Sequence, residues 1–184
     1  MKIILLVLIM GFVLYACTGK SQLKNNRSAT SHLDHLAHFS PTANADVAAK
    51  FSKLYSDLKV GATAENIKSV YAQDIYFNDT FRIITNRDEL IQYLTETAEF
   101  VNSTTVEILD VAKGSTDYFV KWSMRMNFKV KGKEVDSFSL GVTQLRFNEQ
   151  GLIVFHQDFW DSSEAFFEHL PLVGRIVKSI KSKL

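Results

Sequence analysis

Hydrophobic positions along the chain follow two different spacings. Between residues 46 and 100 they recur every three or four positions, which is typical of amphipathic helices. This spacing predicts helices over 46–58 and 63–71, and a third that starts at residue 86 or 87. A short strand at 75–77 is predicted between the second and the third helix.

After residue 100 the spacing changes to strict alternation. Strands are predicted over 104–112, 117–130 and 134–147, with a last strand within 151–161. Four consecutive strands at hairpin spacing imply a curved antiparallel sheet with the early helices on its concave side. The predicted fold class is therefore α+β, a cone-shaped sheet wrapped around N-terminal helices and followed by a C-terminal amphipathic helix.

The strand predicted over 117–130 has one apolar face rich in aromatic residues and methionine. Such a face forms core in most proteins and lines a ligand cavity in some, so both interpretations stay open. The candidate ligand-binding residues are Tyr118, Trp122, Met124, Met126 and Phe128 of this strand and Trp160 of the last strand.

The last predicted strand carries two ionisable residues in an apolar run. Side-chain alternation puts His156 and Asp158 on one face together with Trp160. A charge in such company must be hydrogen-bonded, paired or neutralised by a shifted pKa. Either these are pocket residues, or they form a buried structural pair with a cation from a neighbouring strand. The available cations are Arg125, Arg146 and Lys121.

Composition excludes several classes of function. The formal net charge of +1 provides no basic field for binding nucleic acid. Hydrophobic residues make up 46% of the 184 residues, which suits one domain with a real core. The single cysteine excludes an internal disulfide, a four-thiolate zinc site and a CxxC motif. We therefore predict no nucleic-acid partner, no metal and no cofactor.

The N-terminus has the pattern of an export signal. Its apolar run, 3–14, is too short to span a bilayer comfortably but suits the core of a secretory signal. Leu14-Tyr15-Ala16-Cys17 closes the run and resembles the bacterial lipobox, whose cysteine is lipidated. This predicts a signal peptide over 1–16, lipid on Cys17 and attachment to the cell or outer membrane, facing the periplasm or the exterior. A plain signal peptide or an uncleaved anchor is the alternative.

Two segments flank the predicted domain at 46–161. Residues 17–45 are rich in polar residues and are predicted to form a flexible tether after the lipidated cysteine. His32, His35 and His38 recur within it, but solvated histidines explain them better than a metal site does.

The tail at 162–184 is predicted to form a short helix broken at Pro171, followed by a basic amphipathic helix. The amphipathic helix could lie against anionic lipid, cover the cone as a lid, or pack its apolar stripe on the domain.

The order helix, helix, short strand, helix, four long strands resembles the nuclear transport factor 2-like superfamily, especially its SnoaL-like branch. Two motifs carry the likeness, DIYFND at 74–79 and GLIVFHQDFWD at 151–161. The resemblance implies a cone with an apolar pocket, often paired into dimers through the sheet. The superfamily includes ketosteroid isomerase, polyketide cyclases and limonene epoxide hydrolase, as well as members that only bind ligands or proteins.

The resemblance also implies roles for single residues. Asp79 matches the position of the isomerase's general base, although an aspartate after asparagine is also a common turn residue. Asp158 matches the last-strand aspartate that hydrolases and cyclases use for proton transfer. The hydrolase's Arg-x-Asp pair has its nearest match in Arg125-Met126-Asn127, with Asn in place of Asp.

Three functions follow as hypotheses. The first is a lipid-anchored domain that binds a small apolar or amphipathic molecule, with Asp158, His156 and Asp79 as polar anchors. The second is a cofactor-independent isomerase, cyclase or epoxide hydrolase with Asp158 or Asp79 as its general base. The third is a homodimeric interaction module.

Overall fold

The computed structural model describes residues 27–39 and 46–184. The predicted signal peptide, the lipobox and Cys17 lie outside the described residues. The chain divides into two units, Met1–Asp34 and His35–Leu184, and the second contains the whole sheet.

The predicted helices and strands of the domain occur in the predicted order, together with elements that were not predicted. The helices are α1 Arg27–His38, α2 Val47–Tyr55, α3 Leu58–Gly61, α4 Ala64–Val70, α5 Arg87–Phe100, α6 Ser162–Ala165, a 3-10 turn at Phe167–His169, and α7 Val173–Lys181. The strands are β1 Tyr71–Asn78, β2 Ile83–Asn86, β3 Val101–Lys113, β4 Tyr118–Val130, β5 Lys133–Phe147 and β6 Ile153–Trp160.

Polar side chains fix where the main helices begin. Asp46 accepts a hydrogen bond from the backbone N–H of Ala49 at the start of α2. Thr63 caps α4 and Asn86 caps α5 in the same way. Each cap satisfies a backbone N–H that has no partner within its helix, so the local sequence sets these boundaries.

The six strands form one sheet in the order β2-β1-β6-β5-β4-β3. β3, β4, β5 and β6 pair antiparallel as predicted, but β1 pairs with β6 in parallel. The strand β2 was not predicted, because four residues with one buried position give no readable alternation. The sheet is therefore mixed at one edge and antiparallel elsewhere.

The concave side of the sheet carries the core. Phe51 and Leu54 of α2 and Leu90 of α5 are almost completely buried against it. On β5 the side chains that face the helices are small at Ser137, Ser139 and Gly141. This row leaves room for the large residues of β4: a Cβ on Gly141 would lie 2.3 Å from the indole of Trp122.

The end of α1 packs on the convex side of the sheet, over the neighbouring strands β1 and β6. The His35 ring stacks on Tyr76 at 4.9 Å, and Tyr76 stacks on Phe155 at the same distance. The prediction of a flexible tether over 17–45 is therefore wrong for residues 35–39. The misleading signal was the polar composition, since ring stacking and backbone carbonyls, rather than an apolar stripe, hold the end of this helix.

A buried guanidinium holds that end of α1. Arg146 donates to the carbonyl oxygens of Leu36 and Phe39 at 2.5 and 2.6 Å. Its Nε also donates to Asp117 at 2.6 Å, and both side chains of this ion pair are only 8% exposed. A charged pair so deeply buried is stable only when its hydrogen bonds are satisfied, as they are here.

The rest of the convex side is open in the described chain. Arg125 pairs with Asp136 at 2.6 Å on this face, in contact with solvent. Phe138 and Leu140 are more than half exposed beside that pair. The homodimer that the resemblance implies stays a prediction.

The tail ends in an amphipathic helix, α7, whose apolar stripe is not covered. Ile176 and Ile180 are more than half exposed, so the interpretation in which the stripe packs on the domain is wrong. The helix touches the domain through Gly174 instead, where a Cβ would lie 2.1 Å from the carbonyl oxygen of Glu168. No helix among the described residues has the length and apolar character needed to cross a membrane.

Candidate functional site

A cavity of about 350 Å³ lies between the helices and the concave side of the sheet. Its wall is built from α2, α5 and the α6 region on one side and from β1, β3, β4 and β6 on the other. Most of the lining is aromatic or aliphatic, and Phe81 and Phe100, which also line it, are exposed to solvent. The interior between helices and sheet is therefore hollow and connected to the outside.

Eight of the nine candidate pocket residues from the sequence line this cavity. They are Asp79, Trp122, Met124, Met126, Phe128, His156, Asp158 and Trp160. Tyr118 does not line it. Tyr118 starts β4 and packs edge-on against Phe147 at 5.7 Å, so alternation placed it on the correct face but at the filled end of the sheet.

Asp158 is fixed by a chain of hydrogen bonds across three strands. Thr143 lies directly opposite Asp158 in the β5–β6 register and donates its hydroxyl to Asp158 Oδ1 at 2.5 Å. The indole Nε1–H of Trp122 in turn donates to the Thr143 hydroxyl at 2.8 Å. Among the described residues nothing donates to Asp158 Oδ2, and the carboxyl group lines the cavity.

His156 joins Asp158 to two buried tyrosines. Its Nε2 lies 2.9 Å from Asp158 Oδ1, and its Nδ1 lies 2.7 Å from the Tyr71 hydroxyl. The Tyr71 hydroxyl is also 2.7 Å from that of Tyr55, which lines the cavity. The imidazole itself is 1% exposed and is surrounded by aromatic rings, Phe77 at 4.7 Å among them.

The direction of these hydrogen bonds follows from the charge on Asp158. An ionised Asp158 accepts a hydrogen bond from His156 Nε2–H, which leaves Nδ1 of a neutral ring to accept a hydrogen bond from the Tyr71 hydroxyl. Tyr71 then accepts from Tyr55. Burial raises the pKa of both tyrosines well above the usual range, and the negative charge of Asp158 raises it further, so both hydroxyls stay protonated donors.

Asp79 lies in a different environment at the end of β1. Its Oδ1 accepts hydrogen bonds from the backbone N–H groups of Phe81 and Arg82 at 3.0 and 2.9 Å. Its Oδ2 accepts from the Tyr93 hydroxyl. Burial raises the pKa of Asp79, and the Tyr93 and Arg82 hydrogen bonds offset part of the rise. The turn role and the cavity position predicted for Asp79 therefore occur together.

The cations considered as partners for Asp158 are engaged elsewhere or exposed. Arg125 pairs with Asp136 on the convex face, and Arg146 pairs with Asp117 away from the cavity lining. Lys121 is exposed on the same face as Arg125. The polar partners of Asp158 are thus His156 and Thr143.

Four polar residues of the site were missed from the sequence. Thr143 was within reach of prediction, because the short turn between β5 and β6 fixes the register that sets it opposite Asp158. Tyr55, Tyr71 and Tyr93 had no such signal, since they come from two helices and a strand start whose packing the pattern does not fix. Among the described residues no group of three or more His, Cys, Asp or Glu side chains could hold a metal ion.

Comparison with known families assigns the domain. The SnoaL-like domain model matches residues 53–156, more than half of the chain. The chain therefore belongs to the SnoaL-like domain family, and its mixed helix-and-sheet architecture is the cone fold of that family. A search of curated proteins found no match.

Solved structures share this fold at low sequence identity. A protein from Catenulispora acidiphila with a ketosteroid isomerase-like fold, in complex with trimethylamine, is 14% identical, with a TM-score of 0.55 over 67% of this chain and 91% of its own. A candidate SnoaL-like polyketide cyclase from Shewanella denitrificans is 18% identical, with a TM-score of 0.55 over 64% and 89%. The epoxide hydrolase/cyclase-like enzyme SalBIII, which functions in pyran ring formation in salinomycin, is 15% identical, with a TM-score of 0.53 over 64% and 89%. At such identities these likenesses concern the fold.

Proposed function

We propose that the domain binds one small apolar or amphipathic molecule in its cavity, with Asp158 as the polar anchor. The observation that carries this proposal is a hollow of about 350 Å³ lined mainly by apolar side chains, with Asp158 Oδ2 left without a donor among residues 27–39 and 46–184. Ligand pockets commonly have this size and this ratio of apolar wall to a few placed polar groups.

The arrangement around Asp158 favours a ligand with one hydrogen-bond donor. Oδ1 already accepts from Thr143 and His156, so Oδ2 is the acceptor available to a bound hydroxyl, amine or amide N–H. The remainder of the ligand would lie on Trp122, Met124 and Met126. Thioether side chains adapt to irregular shapes, which suits a wall that binds by contact alone.

A fluorescent probe tests the cavity directly. N-phenyl-1-naphthylamine is apolar and carries a single N–H donor, and we expect one molecule to bind per chain with increased emission. Met126→Trp should strongly weaken binding, because the larger ring takes up part of the cavity and blocks the ligand from lying on this wall. Leu140→Trp adds a ring on the exposed convex face and should leave binding unchanged. Equal binding by all three proteins would refute the cavity as the site.

The lipid anchor belongs to the same proposal. Support comes from the sequence, where the only cysteine stands at the end of the apolar run in Leu14-Tyr15-Ala16-Cys17. We expect metabolic labelling with palmitate, and partition of the protein into the detergent phase, both lost in Cys17→Ser. Labelling that persists in Cys17→Ser would contradict this part.

A second candidate function is acid–base catalysis within the cavity. It is favoured by two carboxyl groups that line one cavity in different surroundings. Asp158 has one oxygen that no group in the described part of the chain donates to, whereas both oxygens of Asp79 are hydrogen-bonded and burial raises the pKa of Asp79. Such pairs divide acid and base roles between them. Asp158 would then be the base, and Asp79, whose pKa burial raises, would be the acid in its protonated form.

Water addition to an epoxide requires one proton to be removed from water and one to be given to the ring oxygen. Asp158 removes a proton from water, the hydroxide forms a C–O bond to one epoxide carbon, and the ring C–O bond breaks. Asp79 gives its proton to the alkoxide, and proton exchange with solvent then restores both groups. His156 and Tyr71 take no proton in this scheme and hold the Asp158 carboxylate in position.

Small apolar epoxides test this second candidate by diol formation. We expect turnover by the wild type and at least a hundredfold loss in Asp158→Asn and in Asp79→Asn. Asp161→Asn is the matched control, since Asp161 only caps α6 through the N–H groups of Ser163 and Glu164. Unaltered turnover in the first two variants, or none in the wild type, would contradict hydrolysis and leave the binding function standing.

A further inference from the structure

The exposed stripe on α7 has no counterpart elsewhere in the tail. Ile176 and Ile180 stand four residues apart and Val173 three residues before Ile176, so they share one side of the helix. Leu172 and Leu184 extend the stripe at its two ends, and all five side chains are exposed. An uncovered row of this kind indicates a surface that meets an apolar partner.

The side that holds α7 to the domain lies opposite this stripe. Gly174 touches the backbone of Glu168, and Lys181 pairs with the Glu168 carboxylate at 2.7 Å. Gly174 and Lys181 are seven residues apart, so they lie on one side of the helix, turned away from Ile176 and Ile180. The contact that fixes the helix therefore directs its stripe outward.

The charged side chains from residue 171 onward are all of one sign. Residues 171–184 contain Arg175, Lys178, Lys181 and Lys183 and no Asp or Glu. Of these cations, only Lys181 has a carboxylate partner within the described chain, Glu168. An apolar stripe flanked by unmatched cations is complementary to a surface that is apolar inside and anionic at its boundary, which is the character of an anionic bilayer.

We propose that α7 is a membrane-binding helix that inserts Val173, Ile176 and Ile180 among acyl chains while Arg175 and Lys178 contact anionic lipid headgroups. Its nine residues are too few to span a bilayer, so it lies in the plane of the interface. This contact is independent of any lipid on Cys17 and of the ligand in the cavity.

Binding of α7 also sets the position of the cavity, on the basis of the function proposed above. The helix follows the 3-10 turn and Phe166, and Phe166 lines the cavity and packs on the exposed Phe81 at 4.9 Å. A bound α7 therefore brings this rim of the cavity close to lipid. An amphipathic ligand would then have a short path between bilayer and cavity.

Fluorescence at single sites tests the orientation of the helix in the full chain. Cys17→Ser removes the only native thiol, and nitrobenzoxadiazole is attached at Ile180→Cys or, as the matched control, at Ser182→Cys on the other side. In vesicles of phosphatidylcholine with phosphatidylglycerol we expect a blue shift at Ile180→Cys only. In phosphatidylcholine alone the shift should be much smaller.

Charge variants complete the test. Arg175→Gln with Lys178→Gln should require roughly 25-fold more anionic lipid for the same shift. Lys131→Gln with Lys133→Gln, in an exposed turn, should not change it. A blue shift already present without vesicles would show that protein covers the stripe, and equal shifts at both sites or no shift at all would likewise overturn the proposal.

Discussion

Replacing Trp122 measures how much of the concave face is packed core and how much is cavity wall. The indole is 4% exposed, lies against Gly141 and donates to Thr143, so most of its surface contacts protein. Its edge also lines the cavity. Trp122→Ala therefore removes both packing and a hydrogen-bond donor from one position.

The magnitude follows from the buried area. An aromatic ring of this kind removes about 150–250 Å² from water, which is about 4–6 kcal/mol at roughly 25 cal/mol per Å². Because one edge of the indole already faces the cavity, we expect Trp122→Ala to lower the free energy of unfolding by about 3–5 kcal/mol, the usual range for such truncations. Trp122→Phe keeps an aromatic ring but removes the indole N–H that donates to Thr143, and this should lower stability by about 1 kcal/mol.

Urea unfolding followed by far-ultraviolet circular dichroism gives the free energy of unfolding. The matched control is Phe138→Ala, an aromatic residue on the same sheet that points away from the core and is 62% exposed. It should change stability by less than about 0.5 kcal/mol. A loss below about 1 kcal/mol for Trp122→Ala would refute the reasoning, because it would mean that the ring has little packed contact.

Three further predictions concern the buried polar groups. Asp158→Asn should leave unfolding nearly unchanged while ligand binding or turnover falls, because an amide oxygen can accept the same two hydrogen bonds; severe unfolding would instead indicate a structural role. Burial raises the pKa of Asp79 in the folded state, so folding favours the protonated carboxyl group. The contribution of this group to the free energy of unfolding is complete below about pH 4 and is lost as the pH rises through the folded-state pKa. Wild type should therefore lose stability relative to Asp79→Asn between acidic and neutral pH, and the opposite slope in urea titrations would contradict the raised pKa. Arg146→Met leaves the buried Asp117 carboxylate without its cation and should lower stability by about 3–5 kcal/mol. Amide exchange at residues 36–39 should become faster, and unchanged exchange there would show that Arg146 does not hold the end of α1.

The sequence predicted the elements whose signals are local. Alternation along β4 assigned both of its faces, and the capping side chains Asp46, Thr63 and Asn86 marked the helix starts. It failed where the deciding contact is distant along the chain. The four-residue β2 and the docked end of α1 are held by pairing and by Arg146, more than a hundred residues from Leu36.

The candidate site divides in the same way. His156 and Asp158 stood out because ionisable residues interrupt an apolar strand, and hairpin register leads to Thr143. The tyrosine chain from His156 to Tyr55 depends on the angle at which α2 crosses the sheet, and a one-dimensional pattern does not encode that angle. Exposure of the α7 stripe was equally hidden, since it depends on the contact between Gly174 and Glu168.

Native mass spectrometry of the protein purified from its own host tests the central claim most directly. We predict that the wild type and Leu140→Trp carry one small molecule per chain that dissociates on activation, and that Met126→Trp is isolated largely without it. A wild-type protein that is always empty, or an adduct retained in full by Met126→Trp, would contradict the assignment of the cavity as a ligand site.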